Sequence, residues 1–275
     1  MNSRQLFEQI QQKQSFLCIG LDSDINKIPQ HLRNQQNALF QFNRQIIDAT
    51  AKYCISYKPN LAFYEACGSD GLRQLAMTVE YLKSGYPEIF LIADAKRCDI
   101  GNTSKMYAQA FFENMKFDAI TLSPYMGEDT ASPFFSFADK WIILLALTSN
   151  ASSSDFQIMK TENGKMIYEE VIERAKNWGN EDNTMFVAGA TKAEMLAAIR
   201  KIIPQHFLLI PGIGMQGGNL ADVVKYGMND ICGLIVNSSR AIIYAGGGKN
   251  FATEAAAAAK TLQCEMKKLL AEHIS

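Results

Sequence analysis

"LIADAKRCDIGNT", Leu91 to Thr103, decides the reading of the fold. Three apolar residues run straight into Asp94, Lys96, Arg97 and Asp99, so a segment suited to a buried strand ends in a knot of charge. Charge of that density fits only where the strand leaves the apolar interior and opens onto solvent or a site. Strands of a parallel sheet are buried on both faces, read as short unbroken apolar runs, and place ligands at their C-terminal ends.

Working outward, "IFLIAD" from Ile89 is one of eight such runs. The others are "SFLCIG" from Ser15, "CISYKP" from Cys54, "AITLSP" from Ala119, "WIILLAL" from Trp141, "MFVAG" from Met185, "FLLIPG" from Phe207 and "GLIVNSS" from Gly233. Segments of helical period separate them, at 38–52, 69–84, 106–115, 167–178, 192–203 and 220–226, and the alanine-rich 250–272 is a strong helix former. Eight strand–helix units with no compositional break predict one (β/α)8 TIM barrel domain over 1–275, with a doubly wound open sheet as the alternative. The polar stretch "SNASSSDFQ", Ser149 to Gln157, reads as a loop.

A net charge of -1 and a pI near 6.3 give no basic field for nucleic acid or an anionic membrane, so an anionic ligand must be held by local groups. The N-terminus is polar where a signal peptide needs an apolar core, and no apolar run reaches about 18 residues. A soluble, cytoplasmic protein is expected. The six cysteines lack CxxC spacing and three lie in apolar segments, as small buried hydrophobes in a reducing compartment would. His31, His206 and His273 are not paired at ligand spacing, so no metal is expected.

In a barrel the loops after the strands' C-terminal ends build the active site. That filter selects Asp22, Lys58, Asp94, Lys96, Asp99, Ser149, Gln216 and Arg240. Asp94 and Lys96 are two apart on one strand, so regular pleating points them the same way, with Asp99 in the following turn. A D-x-K alone reads as a solvated ion pair at a strand mouth. Lys58, ending another strand, makes an alternating Lys–Asp–Lys–Asp set that is costly to build for stability alone. A lysine among carboxylates favours its ammonium form, which suits a proton donor or a partner for a developing anion and not a Schiff-base nucleophile.

"PGIGMQGGN", Pro211 to Asn219, satisfies G-x-G-x-x-G. It follows the seventh strand instead of the first, and the next strand ends in "NSSR" with no acidic residue for a ribose, so a dinucleotide fold is rejected. A phosphate cradle fits better: glycine-exposed N–H groups, a helix starting near Leu220 behind an Asn219 cap, Gln216 as a neutral donor and Arg240 as the cation. Asp22 in "CIGLDSD" either caps a helix or accepts from sugar hydroxyls. Ser149 and Asn150 suit a polar ring edge or a turn, and Pro124 with Tyr125 an apolar wall.

Together these motifs resemble the orotidine 5'-phosphate decarboxylase family. "DAKRCDIGNT" is similar to its D-x-K-x-x-D-I-G-N-T signature, and "GLD", "KPN", "SPYMG", "TSN", "PGIGMQGG" and "NSSR" fall in the family's order from Gly20 to Arg240. The resemblance is to the longer bacterial form. It implies a phosphate-binding barrel that converts orotidine 5'-phosphate to uridine 5'-phosphate and carbon dioxide, without metal or organic cofactor, in pyrimidine biosynthesis. It implies a tetrad of Lys58, Asp94, Lys96 and Asp99, with Lys96 the proton donor. Asp22 would bind ribose, Ser149 the pyrimidine edge, and Gln216 and Arg240 the phosphate. Asp99 and Thr103 would enter the neighbouring subunit's site, implying a two-fold homodimer. Cys98 stands where the family often has glycine, and Ser23 where proline is frequent. A related sugar-phosphate decarboxylase branch also carries D-x-K-x-x-D but uses magnesium, with a glutamate where this chain has Lys58. A non-catalytic nucleotide-phosphate binder would not need four intact charges.

Overall fold

The eight apolar runs become eight strands: β1 (Leu17–Leu21), β2 (Ser56–Pro59), β3 (Phe90–Arg97), β4 (Ala119–Leu122), β5 (Trp141–Leu147), β6 (Thr184–Ala188), β7 (Phe207–Pro211) and β8 (Leu234–Ser238). In this computed structural model, which describes residues 1–213 and 218–274, they pair in chain order and β8 closes on β1, every pairing parallel. The (β/α)8 barrel is therefore the observed fold, and the open-sheet alternative is excluded. β1, β2, β4, β6 and β8 are buried along their whole length, which is why their sequences do not alternate. Where β1 passes β8 the approach is so close that a Cβ on Gly20 would sit 1.8 Å from Ser239 Oγ.

At the strands' N-terminal ends the barrel is plugged by aromatic rings. Trp141 packs edge-on against Phe90 and Phe207, with centroids 6.2 and 6.3 Å apart, and its indole Nε1 donates to the Met1 carbonyl at 2.6 Å. The expected helices appear with shifted ends. Residues 106–115 belong to a helix that starts at Gly101, runs to Ala108 and continues as a π-helical turn, Gln109–Asn114. The segment at 192–203 opens as a 3-10 turn (Ala190–Met195) before the helix Leu196–Ile202, and the Ser149–Gln157 loop contains a 3-10 turn at Ala151–Asp155. A helix at Ser3–Lys13 was not anticipated; a reciprocal Asn2–Gln5 capping box starts it, and Leu6 and Ile10 bury its narrow apolar face. All six cysteines are free, and Cys18, Cys54 and Cys232 are buried.

His206, just before β7, is buried with neither ring nitrogen hydrogen-bonded. Burial lowers its pKa, and Arg200 and Lys176 act the same way against an opposing pull from Glu181. The fold thus disfavours the charged ring, while the unfolded chain takes up its proton below about pH 6.5, so stability falls as the pH drops below that value. Thermal melts at pH 7.5 and 5.5 are expected to show a steeper acid loss for the native protein than for His206→Leu, by about 2–4 °C for each kcal/mol of linkage. Parallel losses in the two proteins would remove His206 from the account.

Candidate active site

At the C-terminal mouth of the barrel lies a cavity of about 160 Å³, walled by Asp22, Lys58, Asn60, Asp94, Asn237 and Arg240 together with backbone at Pro211–Ile213. β1, β2, β3, β7 and β8 thus converge on it from distant parts of the sequence. Its charged centre is one carboxylate between two ammonium groups. Lys58 Nζ reaches Asp94 Oδ2 at 2.8 Å, and Lys96 Nζ reaches Asp94 Oδ1 at 2.5 Å. The Lys58 and Asp94 side chains are only 6% and 11% exposed, whereas Lys96 is 50% exposed, so one cation is fixed in the cavity wall while the other, which does not itself line the cavity, joins it through Asp94.

Burial works against charge on Lys58, but Asp94 and then Asp22 outweigh it and push its pKa up to about 12. Burial would raise Asp94, yet Lys58 and then Lys96 hold its carboxyl far below the ordinary carboxylate range. The sign follows for each. The Lys58 contribution to stability is complete below its usual value near 10.4 and is lost as pH rises through about 12; that of Asp94 is complete above about 4 and is lost only in acid. The site therefore keeps both charges across neutral pH.

Regular pleating does not explain how Asp94 and Lys96 meet. β3 carries a bulge between Ala93 and Arg97, and Lys96 adopts a left-handed conformation with φ +48°, a strain of about 1–3 kcal/mol for a residue with a Cβ. The bulge turns the two side chains onto each other. Arg97 props it from behind: its Nη1 donates to the Ala95 carbonyl, Nη2 pairs with Glu65, and its guanidinium lies over the rings of Tyr107 and Phe111.

Asp22 caps no helix. Its Oδ1 is buried without a partner, and the Tyr244 hydroxyl holds its backbone by donating to the Asp22 carbonyl at 2.9 Å while accepting from Asp24 N at 2.7 Å. Asn237 Oδ1 is a second buried, unpartnered acceptor on the same cavity. At the anion end, Arg240 begins a short helix (Arg240–Ile243), and its guanidinium, exposed to solvent, has no bonded partner among the described residues. Gly212 has φ +98°, its carbonyl accepts from Gly218 N at 3.2 Å, and Asn219 Oδ1 caps the helix Leu220–Gly227 through Ala221 N and Asp222 N. Gln216, with Gly214 and Gly217, lies outside the described residues.

Lys96 reaches this cavity only through its pairing with Asp94, and three further expected residues are not brought to it. Asp99 forms no ion pair with either lysine; its Oδ1 accepts from Ile100 N at 2.7 Å. Thr103 is exposed on the helix Gly101–Ala108, and Ser149 sits beyond β5, its carbonyl 3.5 Å from Thr191 Oγ1. Tyr125 is 94% exposed and forms no wall here. Among the described residues no group of three or more His, Cys, Asp or Glu is arranged to hold a metal ion, and no helix is long and apolar enough to cross a membrane.

A model of the Orotidine 5'-phosphate decarboxylase / HUMPS family matches residues 15–256. The chain belongs to that family. A relative from Phocaeicola vulgatus, named orotidine 5'-phosphate decarboxylase, is 57% identical over 99% of this chain and all of its own. One of the same name from Christiangramia forsetii is 58% identical over 97% of each. Among solved structures, OMP decarboxylase from Leishmania donovani superposes with a TM-score of 0.83 at 33% identity, covering 98% of each chain. Both departures from the decarboxylase family's pattern are accommodated by hydroxyl contacts: Cys98 Sγ lies 2.8 Å from Thr130 Oγ1, and Ser23 Oγ donates to Asn43 Oδ1 at 2.6 Å.

Reading by strand ends missed Asn60 and Asn237. Asn60 follows Lys58 in "KPN" and forms a bridge to Asp94, and Asn237 heads "NSSR", so both stood in quoted motifs without a charge to draw attention.

Proposed function

We propose that this chain removes carbon dioxide from orotidine 5'-phosphate to give uridine 5'-phosphate, with no metal or organic cofactor. The observation that carries the reading is the Lys58–Asp94–Lys96 array, a fixed anion between two cations at the mouth of a small cavity. The bond from carbon 6 of the pyrimidine to its carboxylate breaks, carbon dioxide departs, and the electron pair stays on carbon 6. Lys96 faces that carbon, stabilises the negative charge as it develops, and then transfers an Nζ proton to it. Asp94, charged and therefore acceptor-only at neutral pH, lies against the departing carboxylate and favours its neutral product. Lys58 holds Asp94 in place.

Asp22 and its unpartnered oxygen accept ribose hydroxyls, Ser149 meets the pyrimidine edge, and Arg240 with Gln216 takes the phosphate. Gripping a remote, unreactive phosphate lets its binding energy assist chemistry at the ring. Asp99 and Thr103 complete the site of a second copy in a homodimer. Support for that face comes from Ile100, Met106, Tyr125 and Met126, apolar residues 49–94% exposed on the segments around Asp99.

The magnesium-dependent branch is disfavoured because Lys58 puts a cation where that branch has a glutamate. Purified protein treated with a chelator is expected to turn over orotidine 5'-phosphate at an undiminished rate, followed by ultraviolet absorbance. No turnover by folded protein, or turnover only after magnesium is restored, would defeat the proposal.

A further inference from the structure

We propose that Thr121, a buried residue of β4 with no charge and no place in the reaction, is the positioning residue that aims Asp94 and Lys96; its kinetic effect rests on the decarboxylase reading. The pairing of β3 with β4 runs Ile92↔Ala119, Ala93↔Ile120 and then Arg97↔Leu122. Between the last two pairs β3 spends three residues, Asp94, Ala95 and Lys96, while β4 spends only Thr121. The Thr121 side chain takes over where the regular ladder lapses. Its Oγ1 accepts from Ala95 N at 3.0 Å and from Lys96 N at 2.9 Å, and it donates its own proton to Asp94 Oδ1 at 3.1 Å.

A hydroxyl has one donor and two acceptor sites, and all three are used. The donor goes to the same Asp94 oxygen that receives Lys96 Nζ. One atom therefore fixes the backbone that carries Lys96 in its left-handed conformation and also the carboxylate to which Lys96 is paired. Strained backbone persists where its surroundings over-determine it, and three bonds to a fully buried hydroxyl do so here.

Thr121→Val keeps shape and removes all three bonds; Thr121→Ser keeps the hydroxyl. The valine variant is expected to lose about 10²-fold in kcat, the usual scale for a misplaced reacting group, with KM within about threefold. Serine is expected to restore kcat to within about threefold of the native protein. Amide exchange at Ala95 and Lys96 is expected to accelerate in the valine variant and not in the serine one. A merely structural role would lower active-site content or raise KM as kcat falls, and would not respond to one hydroxyl.

Unchanged kcat in Thr121→Val, a rise in KM as large as the fall in kcat, or unchanged exchange at both amides would overturn the proposal. If the valine variant does not fold, Thr121→Cys, whose thiol is a weak partner, is compared with serine by the same criteria. A native protein inactive on orotidine 5'-phosphate defeats the decarboxylase reading instead, and amide exchange then still decides whether Thr121 holds the bulge.

Discussion

Lys96→Ala is expected to lower kcat by about 10³-fold or more while uridine 5'-phosphate still binds within a few-fold of the native affinity. Proton transfer by a positioned side chain contributes about 10²–10⁴-fold, and loss of the cation facing a developing carbanion adds an electrostatic cost. Binding persists because Arg240 and Asp22 are separate from Lys96, and Asp94 keeps Lys58 at 2.8 Å as its partner. The substitution is clean in its backbone effect: alanine, like lysine, carries a Cβ, so the strain of φ +48° is unchanged. Lys96→Arg separates the two contributions, since guanidinium keeps the charge but gives up its proton only above about pH 12. It is expected to recover part of the electrostatic effect and little turnover. Lys96→Ala running within tenfold of the native rate would remove Lys96 from the chemistry.

What could be read from sequence was whatever depends on local composition. "LIA" is barrel wall and the charges begin at the mouth, because burial on both faces demands apolar residues and a site demands the opposite. Asp22, Lys58, Asp94 and Arg240 fall together since strand ends converge in a closed barrel, a consequence of topology once eight strands are counted, and Lys96 joins them by its pairing with Asp94. The bulge was not legible, because its cause is remote: the hydroxyl that holds Ala95 and Lys96 belongs to Thr121, and a threonine inside "AITL" reads as an ordinary β-branched strand former. The π-helical turn in "QAFFEN" has a similar origin. Phe111 and Phe112 are both buried, pulled inward by packing against Phe117 and Phe134 that local propensity does not record. In the sequence His206 is only a histidine without a partner at ligand spacing, and only the fold shows its ring buried with neither nitrogen hydrogen-bonded.

Mixing two inactive variants is expected to regenerate activity, and the amount is fixed by the geometry proposed for the dimer. Asp99 makes no ion pair with Lys58 or Lys96 of its own chain, and its carboxylate accepts instead from Ile100 N just before the helix Gly101–Ala108. If it serves the neighbouring site, Asp99→Ala and Lys96→Ala homodimers are each nearly inactive, every site lacking one group. A heterodimer of the two has one site lacking both groups and one lacking neither, the intact site drawing Lys96 from one chain and Asp99 from the other. Random exchange at equal concentrations makes half the dimers hybrid, so about one quarter of all sites become native and turnover recovers to about one quarter of the native level. Were Asp99 to act within its own chain, every site would keep its single defect and mixing would recover nothing. The measurement is turnover of the equimolar mixture after subunit exchange, with each variant alone carried through the same exchange. Recovery near one quarter places the two groups of one site on two chains; recovery at the level of the separate variants refutes the shared site.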